Sequence, residues 1–247
     1  APALSENRID LIRPDAPELA ARGPHPVGVR AASFTDPDRI DVIATTATGT
    51  PPTAERTLQA EIWYPAADGT EPGTTYDTIL RDGVTPTTLS GSAARDAAPA
   101  EGSFPLVILS HGYPGNRYLM SHLAENLASK GYVVVAADHP DSTYDDMGAF
   151  ASTLVNRAVD QRFLLDSMAG LEDEIGAITD ADTAAVVGYS MGGYGAMIFG
   201  GAGLSQTAID RTEPERFIPP QKLLSRLAAG SEDHAALVDP RVKAIVA

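Results

Sequence analysis

The chain has 247 residues, 43% of them hydrophobic, and no cysteine, which excludes thiolate catalysis, disulfides and cysteine-ligated metals. Its formal charge is −15, from 33 acidic and 18 basic side chains, so nucleic acid and anionic membrane surfaces would repel it. The longest apolar runs have the length of a strand and fall well short of the roughly 18 residues that a membrane-spanning helix needs.

The amino-terminal region differs in composition from the rest of the chain. Residues 1–25 are polar and rich in proline, and we predict an N-terminal arm there, followed by one α/β domain over residues 26–247. The first five residues lack the basic and apolar regions of a signal peptide. Small residues are what signal cleavage leaves, so a secreted or periplasmic location is favoured, with a trimmed cytoplasmic protein as the alternative.

The first third of the domain predicts two strands and a long connection. Residues 27–34 predict a strand, and residues 58–64 alternate apolar and polar side chains, as a half-buried strand does, until Pro65 ends it. Residues 66–103 are rich in Gly, Thr, Asp and Ala, and they predict mostly loop with a weak helix over 76–82.

From residue 104 onward, strands and helices alternate. Continuous apolar runs predict buried strands, and helically spaced apolar side chains predict helices. The strands are predicted over residues 104–110, 132–137, 183–188 and 242–247, the helices over residues 118–130, 155–174 and 193–200, and a polar helical excursion over residues 203–237. This order predicts a mostly parallel sheet with right-handed crossovers, which the earlier strands extend as an antiparallel edge.

The sequence Gly188-Tyr-Ser190-Met-Gly192 fits the pattern G-x-S-x-G between a predicted strand and a predicted helix. In this pattern the serine occupies a strained turn that holds its hydroxyl clear of the sheet, and the glycines avoid a clash in that turn. The helix amino terminus offers amides and a positive dipole to an oxyanion. The pattern predicts Ser190 as a nucleophile, the alternative being a glycine-rich turn with an incidental serine.

The loop that follows the first buried strand contains His111-Gly112-Tyr113-Pro114. A hydrolase with a nucleophile elbow needs a second backbone donor from such a loop. Gly112 lets the backbone pass close to a substrate, so the amide of Tyr113 is the predicted oxyanion donor, paired with the amide of Met191. We predict that His111, Gly112 and Pro114 contact the substrate; a plain turn with a structural His111 is the alternative.

The segment that begins with His139 follows the next strand. Loops at the carboxyl ends of parallel strands surround the site, so His139 is predicted to form part of the substrate wall, the alternative being a solvated loop. Asp141, Asp145 and Asp146 lie nearby but lack the spacing of an EF-hand, so a solvated loop is preferred to a calcium site. The chain has no Walker loop or dinucleotide fingerprint, and neither a metal nor a cofactor is implied.

Three longer segments carry a resemblance to a known family. They are Ile108-Leu-Ser-His-Gly-Tyr-Pro-Gly-Asn-Arg-Tyr118, Leu127-Ala-Ser-Lys-Gly-Tyr-Val-Val-Val-Ala-Ala-Asp-His-Pro140 and Val187-Gly-Tyr-Ser-Met-Gly-Gly193. The chain resembles the predicted dienelactone hydrolase and platelet-activating-factor acetylhydrolase-like group over residues 24–247. This resemblance implies an α/β-hydrolase fold and an esterase activity. The oxyanion-loop and elbow motifs also resemble those of bacterial cutinases, which implies oxyanion roles for the amides of Tyr113 and Met191.

An obvious catalytic acid and base are not found in the sequence. This fold carries its triad in the order serine, acid, histidine, and His234 is the only histidine after Ser190. It precedes the last predicted strand, so we predict a surface histidine there. A sheet that stops at Ala247 would expose an edge. We therefore expect the C-terminal part of the fold to be missing from this chain, and a fragment or second chain of about 100 residues or more to supply a catalytic Asp or Glu and a His.

Together these features predict a serine carboxylic ester hydrolase. Ser190 would attack a small or polymeric ester and form an acyl-enzyme that water releases. Acyl transfer and lactone or amide cleavage on the same fold remain open. A catalytically inactive binding module that keeps the elbow as scaffold is the alternative from another functional class.

Overall fold

The computed structural model describes residues 7–210 and 219–247, and these residues form ten strands and six α-helices. The strands are β1 (Asn7–Arg8), β2 (Val27–Ile40), β3 (Thr53–Pro65), β4 (Thr74–Ile79), β5 (Pro86–Gly91), β6 (Ala94–Arg95), β7 (Phe104–Ser110), β8 (Val133–Ala137), β9 (Thr179–Gly188) and β10 (Val242–Val246). The helices are α1 (Ser121–Ser129), α2 (Phe150–Ala169), α3 (Glu174–Ile178), α4 (Met191–Phe199), α5 (Gln206–Ile209) and α6 (Glu232–Leu237), and 3₁₀ turns cover Glu18–Ala20 and Pro220–Leu227.

Seven strands form one sheet in the order β6-β2-β3-β8-β7-β9-β10. Strand β3 is antiparallel to both of its neighbours, whereas β8, β7, β9 and β10 are parallel to one another. The predicted mostly parallel sheet with an antiparallel amino-terminal edge is therefore confirmed. Strand β7 lies between β8 and β9, so the loops that follow β7 and β9 leave neighbouring carboxyl ends in opposite directions. The crevice between such loops is the usual place for a site in a sheet of this kind.

Both faces of the central strands are buried, which explains their continuous apolar runs. Along β8, Val133 and Val135 join the larger core with α2 and α4, while Val134 and Ala136 face the opposite way and join a second core with α1. The central strands are therefore covered by helices on both sides.

Residues 66–103 are mostly loop, as predicted, but the weak helix predicted over residues 76–82 is wrong, and short strands are present instead. Strands β4 and β5 pair as an antiparallel hairpin, and β1 pairs with β5 to make a small three-stranded sheet. Tyr76 is the one residue of β4 that is buried. The sequence of this strand therefore lacks the alternation of apolar and polar side chains by which a strand is recognised. The Tyr76 hydroxyl accepts from Trp63 Nε1 at 2.9 Å and donates to Glu125 Oε1 at 2.7 Å. The hairpin is thus held by residues far away in the sequence.

The described part of the N-terminal arm lies against α1. Arg22 Nη2 pairs with Glu125 Oε2 at 2.7 Å, and the Gly23 amide donates to Ser129 Oγ at 2.9 Å. The His25 amide donates to Ser129 O at 3.0 Å. The arm is therefore packed against the domain, and the division at residue 25 stays a prediction.

The remaining predicted elements are present with shifted bounds. Helix α2 begins and ends about five residues earlier than predicted, ending just before Gly170. Helix α4 begins at Met191, directly after the nucleophile turn. Helices α5 and α6 and the Pro220–Leu227 turn occupy the predicted helical excursion, part of which, residues 211–218, lies outside the described residues.

Strand β10 is present where predicted, but the prediction that it is buried is wrong. It pairs with β9 alone among the described strands, and Val246 is 58% exposed. An edge strand leaves one side of its backbone unpaired, which explains the exposure. In the described ranges, none of the helices combines the length and apolarity needed to cross a bilayer.

Candidate active site

Ser190 occupies the turn between β9 and α4, and it is exposed to solvent. Its backbone torsions are φ 54° and ψ −110°, a conformation that residues with a side chain rarely adopt. A strained serine between a strand and a helix is the geometry of a nucleophile elbow. The strand that leads into this turn, β9, is paired on both sides, with β7 and with β10.

Gly188 and Gly192 make this turn sterically feasible. A Cβ atom on Gly188 would overlap the backbone of Gly192, and a Cβ atom on Gly192 would overlap the carbonyl oxygen of Ser110. The Gly192 amide also donates to Tyr189 O at 2.9 Å and closes the turn. Close backbone approach, at both positions, is therefore the reason that the pattern needs glycine.

The predicted oxyanion loop passes directly beside the nucleophile. Strands β7 and β9 are neighbours, with Ser110 in register with Gly188, and the Tyr189 amide donates to Ser110 O at 3.0 Å. A Cβ atom on Gly112 would lie 3.1 Å from Tyr189 Cδ1 and 3.3 Å from Ser190 Cβ. The structure thus brings Ser190 and Gly112 together, as the spacing along the chain had suggested.

Two backbone amides at this point, those of Tyr113 and Met191, have no acceptor in the described part of the protein. Met191 is the first residue of α4, where amides lack partners within the helix. The peptide that carries the Tyr113 amide is held from its other end, because His111 Nδ1 donates to Gly112 O at 2.7 Å. In a planar trans peptide the N–H points away from the C=O, so His111 fixes the direction of the Tyr113 donor.

His111 and His139 lie behind this loop and not on the substrate side that was predicted for them. They are 2% and 1% exposed, and their rings lie 5.0 Å apart. The His139 amide donates to His111 Nε2 at 3.2 Å, so both ring nitrogens of His111 are engaged. Burial is the main reason that the pKa of His111 lies well below its usual value, and the nearby His139 and Arg157 lower this pKa further. A direct substrate contact does not fit this burial, whereas support of the loop does.

The His139 ring links Ser110 to Asp160 of α2. Its Nε2 lies 2.9 Å from Ser110 Oγ, and its Nδ1 lies 3.0 Å from Asp160 Oδ2. Burial opposes ionisation of Asp160, but the charge of Arg56 and the His139 hydrogen bond hold its pKa well below the usual range. The carboxylate therefore accepts from Nδ1–H. Burial and then the charge of Arg157 lower the pKa of His139 to about 4, so the ring is neutral and Nε2 accepts the Ser110 hydroxyl proton.

The hydrogen-bonded series Ser110–His139–Asp160 has the same order of contacts as a serine–histidine–aspartate catalytic triad. Ser110, however, is fully buried, as are His139 and Asp160, and an ester carbonyl has no access to a hydroxyl enclosed in the core. Ser190, by contrast, is exposed, and no histidine ring hydrogen-bonds to it. Ser110 thus has a histidine partner but no access to solvent, whereas Ser190 has access to solvent but no histidine partner.

The sequence contains five histidines, all of which are described, and none of them hydrogen-bonds to the hydroxyl of Ser190. His25 packs edge-on against an aromatic ring, and His122 is exposed on α1. His234 is 4% exposed, with Nε2 3.1 Å from the carbonyl oxygen of Ile198. The prediction of a surface His234 is wrong, because α6 packs against the end of α4.

The outer side of the loop forms a partly exposed rim. The Tyr113 hydroxyl donates to the carbonyl oxygen of Met147, and the Tyr113 ring packs edge-on against Phe150 at 4.9 Å. Pro114 is half-buried, and Tyr189 is 61% exposed beside the nucleophile. Ser190 therefore opens onto a surface that carries aromatic and apolar side chains.

The acidic segment after His139 is engaged with the protein itself. Asp141 accepts from Arg56 Nη1 at 3.1 Å and from Ser152 Oγ at 2.6 Å. Asp145 and Asp146 are exposed. The residues that the structure describes contain no group of three His, Cys, Asp or Glu side chains arranged to hold a metal ion.

Sequence reasoning missed three residues of α2 that support the site: Arg157, Asp160 and Gln161. All three are fully buried, although the helix was interpreted only through its apolar face. Polar residues three and four positions apart share one helix face, and charged side chains are almost never buried without partners. That spacing was the signal available in the sequence.

Three comparisons with known proteins bear on the family and the fold of the chain. A model of the family described as platelet-activating factor acetylhydrolase, isoform II, matches residues 21–163, more than half of the chain. The matched region includes the oxyanion loop and the first part of α2, and Ser190 lies beyond it. Cutinase est1 of Thermobifida alba is 35% identical over 95 residues, which is 38% of this chain and 30% of that protein.

Cutinase 1 of Thermobifida cellulosilytica is 29% identical over 101 residues, 38% of this chain and 34% of that protein. Among solved structures, a ferulic acid esterase from Streptomyces cinnamoneus superposes with a TM-score of 0.56 and 28% identity, covering 72% of this chain and 56% of that one. These proteins support the α/β-hydrolase fold. The match spans about a third of the length of the curated cutinases.

Proposed function

The chain belongs to the platelet-activating factor acetylhydrolase, isoform II, family, and on this premise we propose that it acts in carboxylic ester hydrolysis with Ser190 as the nucleophile. One observation carries the proposal: Ser190 is the exposed residue of a strained turn, and it lies against Gly112 of a loop with a free amide. The esterase names of the similar proteins support the reaction class.

In the proposed reaction, Ser190 Oγ attacks the ester carbonyl carbon and its proton passes to a general base. The carbonyl oxygen becomes an oxyanion, and the amides of Tyr113 and Met191 donate to it. Donors that are already oriented stabilise such charge without reorganisation. The alcohol leaves with a proton, an acyl-enzyme remains, and water releases the acid by the same steps.

Each predicted contact residue receives a role in this proposal. Gly112 allows the close approach of the carbonyl, and Pro114 lines the rim with Tyr113. His111 and His139 act from behind the loop: His111 orients the Gly112–Tyr113 peptide, and His139 holds His111 through its own amide. The substrate class is a small or polymeric ester, since the rim beside Ser190 is exposed and carries apolar side chains. A dienelactone hydrolase-like activity remains a narrower proposal.

We also propose that the general base and its acid come from polypeptide outside the described residues, as a further segment or a second chain. The support is that none of the five histidines, all of which are described, hydrogen-bonds to Ser190. Protein purified from its native cells should hydrolyse esters faster than the 247-residue chain alone. Equal turnover by the two would locate the base within this chain and overturn this proposal.

Export of the protein, to the periplasm or the medium, stays a prediction. Immunoblots of cytoplasmic, periplasmic and medium fractions test it, and a signal confined to the cytoplasm would contradict it.

Hydrolysis of p-nitrophenyl butyrate tests the reaction. Ser190→Ala should lower kcat by about 1,000-fold or more, because the nucleophile is lost. The matched control is Ser103→Ala, an exposed serine before β7, which should leave kcat unchanged. Retained turnover in Ser190→Ala would contradict the proposal, and binding of an ester without turnover by the natural protein would favour the inactive binding module.

A further inference from the structure

Three buried polar side chains on α2 connect the two backbone segments of the site. Arg157, Asp160 and Gln161 are spaced by three and four residues, so they project from one face of the helix. Each is fully buried. This face lies under the oxyanion loop and α4, whereas Val155, Ala158, Leu164, Leu165 and Met168 of the same helix belong to the apolar core.

Arg157 holds the oxyanion loop. Its Nη1 donates to the carbonyl oxygen of His111, and its Nη2 donates to Ser142 Oγ. The His111 carbonyl belongs to the peptide next to the one that carries the Tyr113 amide. The planar guanidinium offers its donors in a fixed fork, so the two contacts together define the position of the loop relative to α2.

Gln161 holds the nucleophile helix. Its Nε2 donates to the carbonyl oxygen of Gly192 at 2.9 Å, one residue after the Met191 amide. Gly195 of α4 allows this approach, since a Cβ atom there would lie 2.6 Å from Arg157 Cγ and 2.9 Å from Gln161 Nε2. The loop and the elbow are therefore tied to neighbouring side chains of one helix.

These groups are costly to bury. Arg157 Nε and Gln161 Oε1 have no partner among the described residues, and burial lowers the pKa of Arg157 to about 9. Asp160 supplies the opposing charge nearby, but it bonds to His139 and to Arg56 and Arg39. Apolar side chains of similar volume would give a core of equal or greater stability, so stability alone does not account for the arrangement.

We infer that Arg157 and Gln161 are positioning residues of the oxyanion site, which together set the separation and direction of the Tyr113 and Met191 amides. This inference rests on the proposed ester hydrolysis. Neither residue touches the substrate, and both act through the backbone carbonyls that they hold. Displacing catalytic groups by about 1 Å costs on the order of 100-fold in rate, so small shifts in these ties matter.

The test uses Gln161→Met and Arg157→Lys in the natural protein, with ester turnover and amide hydrogen exchange as readouts. We expect each variant to lower kcat by about 10- to 100-fold with KM within about twofold, since oxyanion donors act in the transition state. Exchange should accelerate in residues 111–115 and 189–193 while the rest of the sheet stays protected. The matched control is Arg162→Lys, on the same helix, where Arg162 donates to the carbonyls of Ala236 and Leu237 at 3.2 and 3.3 Å.

The outcomes separate the inference from the proposed function. Unchanged kcat and unchanged exchange in folded Gln161→Met would overturn the inference, as would a kcat loss that the Arg162→Lys control shares. If Arg157→Lys does not fold, Gln161→Met decides, because it removes one neutral donor and keeps the volume. If the wild-type protein hydrolyses no ester, the proposed function fails, and the exchange rates of the two segments still decide whether α2 ties them together.

Discussion

At the scale of single residues, the geometry of the site depends on the close approach of backbone atoms in the elbow and the oxyanion loop. Ser190 has a positive φ and Gly192 leaves no room for a side chain against Ser110 O, so the elbow and the oxyanion loop form one packed unit. The motif G-x-S-x-G predicted this unit from sequence, because its steric demands are local. The burial of His111 and His139 could not be predicted in the same way, since it depends on α2, which packs over them.

Gly192→Ala tests the steric part of this account. The new methyl group overlaps the carbonyl oxygen of Ser110, so the loop and elbow must separate, at a cost of about 1–3 kcal/mol in the free energy of unfolding and with loss of ester turnover. Urea unfolding and kcat measure the two effects. The control is Gly148→Ala, where a Cβ atom would meet nothing within 4 Å; equal behaviour of the two variants would contradict the account.

The buried histidines predict a pH dependence of stability. The pKa of His139 is about 4 in the folded protein and about 6.5 in an unfolded chain, so between these values the unfolded state binds a proton that the folded state excludes. The free energy of unfolding should fall by about 1.4 kcal/mol per pH unit as the pH drops from about 6.5 to about 4. His111, whose pKa is also lowered, adds a contribution of the same sign.

Urea unfolding of His139→Gln across this pH range isolates the contribution of His139. The variant loses stability at neutral pH, because Ser110 and Asp160 lose their common partner. Its stability should nevertheless fall less steeply with decreasing pH, by about 1.4 kcal/mol per pH unit. Parallel pH curves for wild type and variant would contradict the neutral, buried His139.

At the scale of elements, the parallel half of the sheet could be predicted from sequence and the β4–β5 hairpin could not. Strands β7 and β8 and the second half of β9 are apolar because both of their faces are buried. The hairpin has one buried anchor, Tyr76, whose partners Trp63 and Glu125 are distant in sequence. Local patterns therefore reveal an element only when the element itself contains the apolar surface that it buries.

Glu125→Gln tests how the hairpin and the arm are held. The buried carboxylate accepts from Arg22, from the Tyr76 hydroxyl and from the amides of Ser92 and Ala93. The amide cannot satisfy these donors, and Arg22 loses its partner, so unfolding should become easier by about 3 kcal/mol. Trypsin should cleave faster at Arg81, which is exposed beyond β4.

The control for this prediction is Glu174→Gln, an exposed carboxylate at the start of α3. It should change the free energy of unfolding by less than about 0.5 kcal/mol. Unchanged cleavage at Arg81 in Glu125→Gln would mean that the hairpin is held by its own strand pairing.

At the scale of the whole molecule, we expect the net charge of −15 to influence which esters reach the proposed site. A cationic ester should show a higher kcat/KM than an anionic ester with the same acyl group at low salt, because the summed field attracts one and repels the other. The difference should shrink as salt rises, since charges more than about 10 Å apart are screened at 0.1 M. A ratio that does not depend on salt would assign the preference to local contacts in the site.

The central claim is that Ser190, and not the buried Ser110, is the nucleophile. Labelling the natural protein with a fluorophosphonate, followed by intact mass and peptide mapping, tests this most directly and also reports every chain present. One adduct is expected, located on Ser190 and absent in Ser190→Ala. An adduct on Ser110, or labelling that persists in Ser190→Ala, would contradict it.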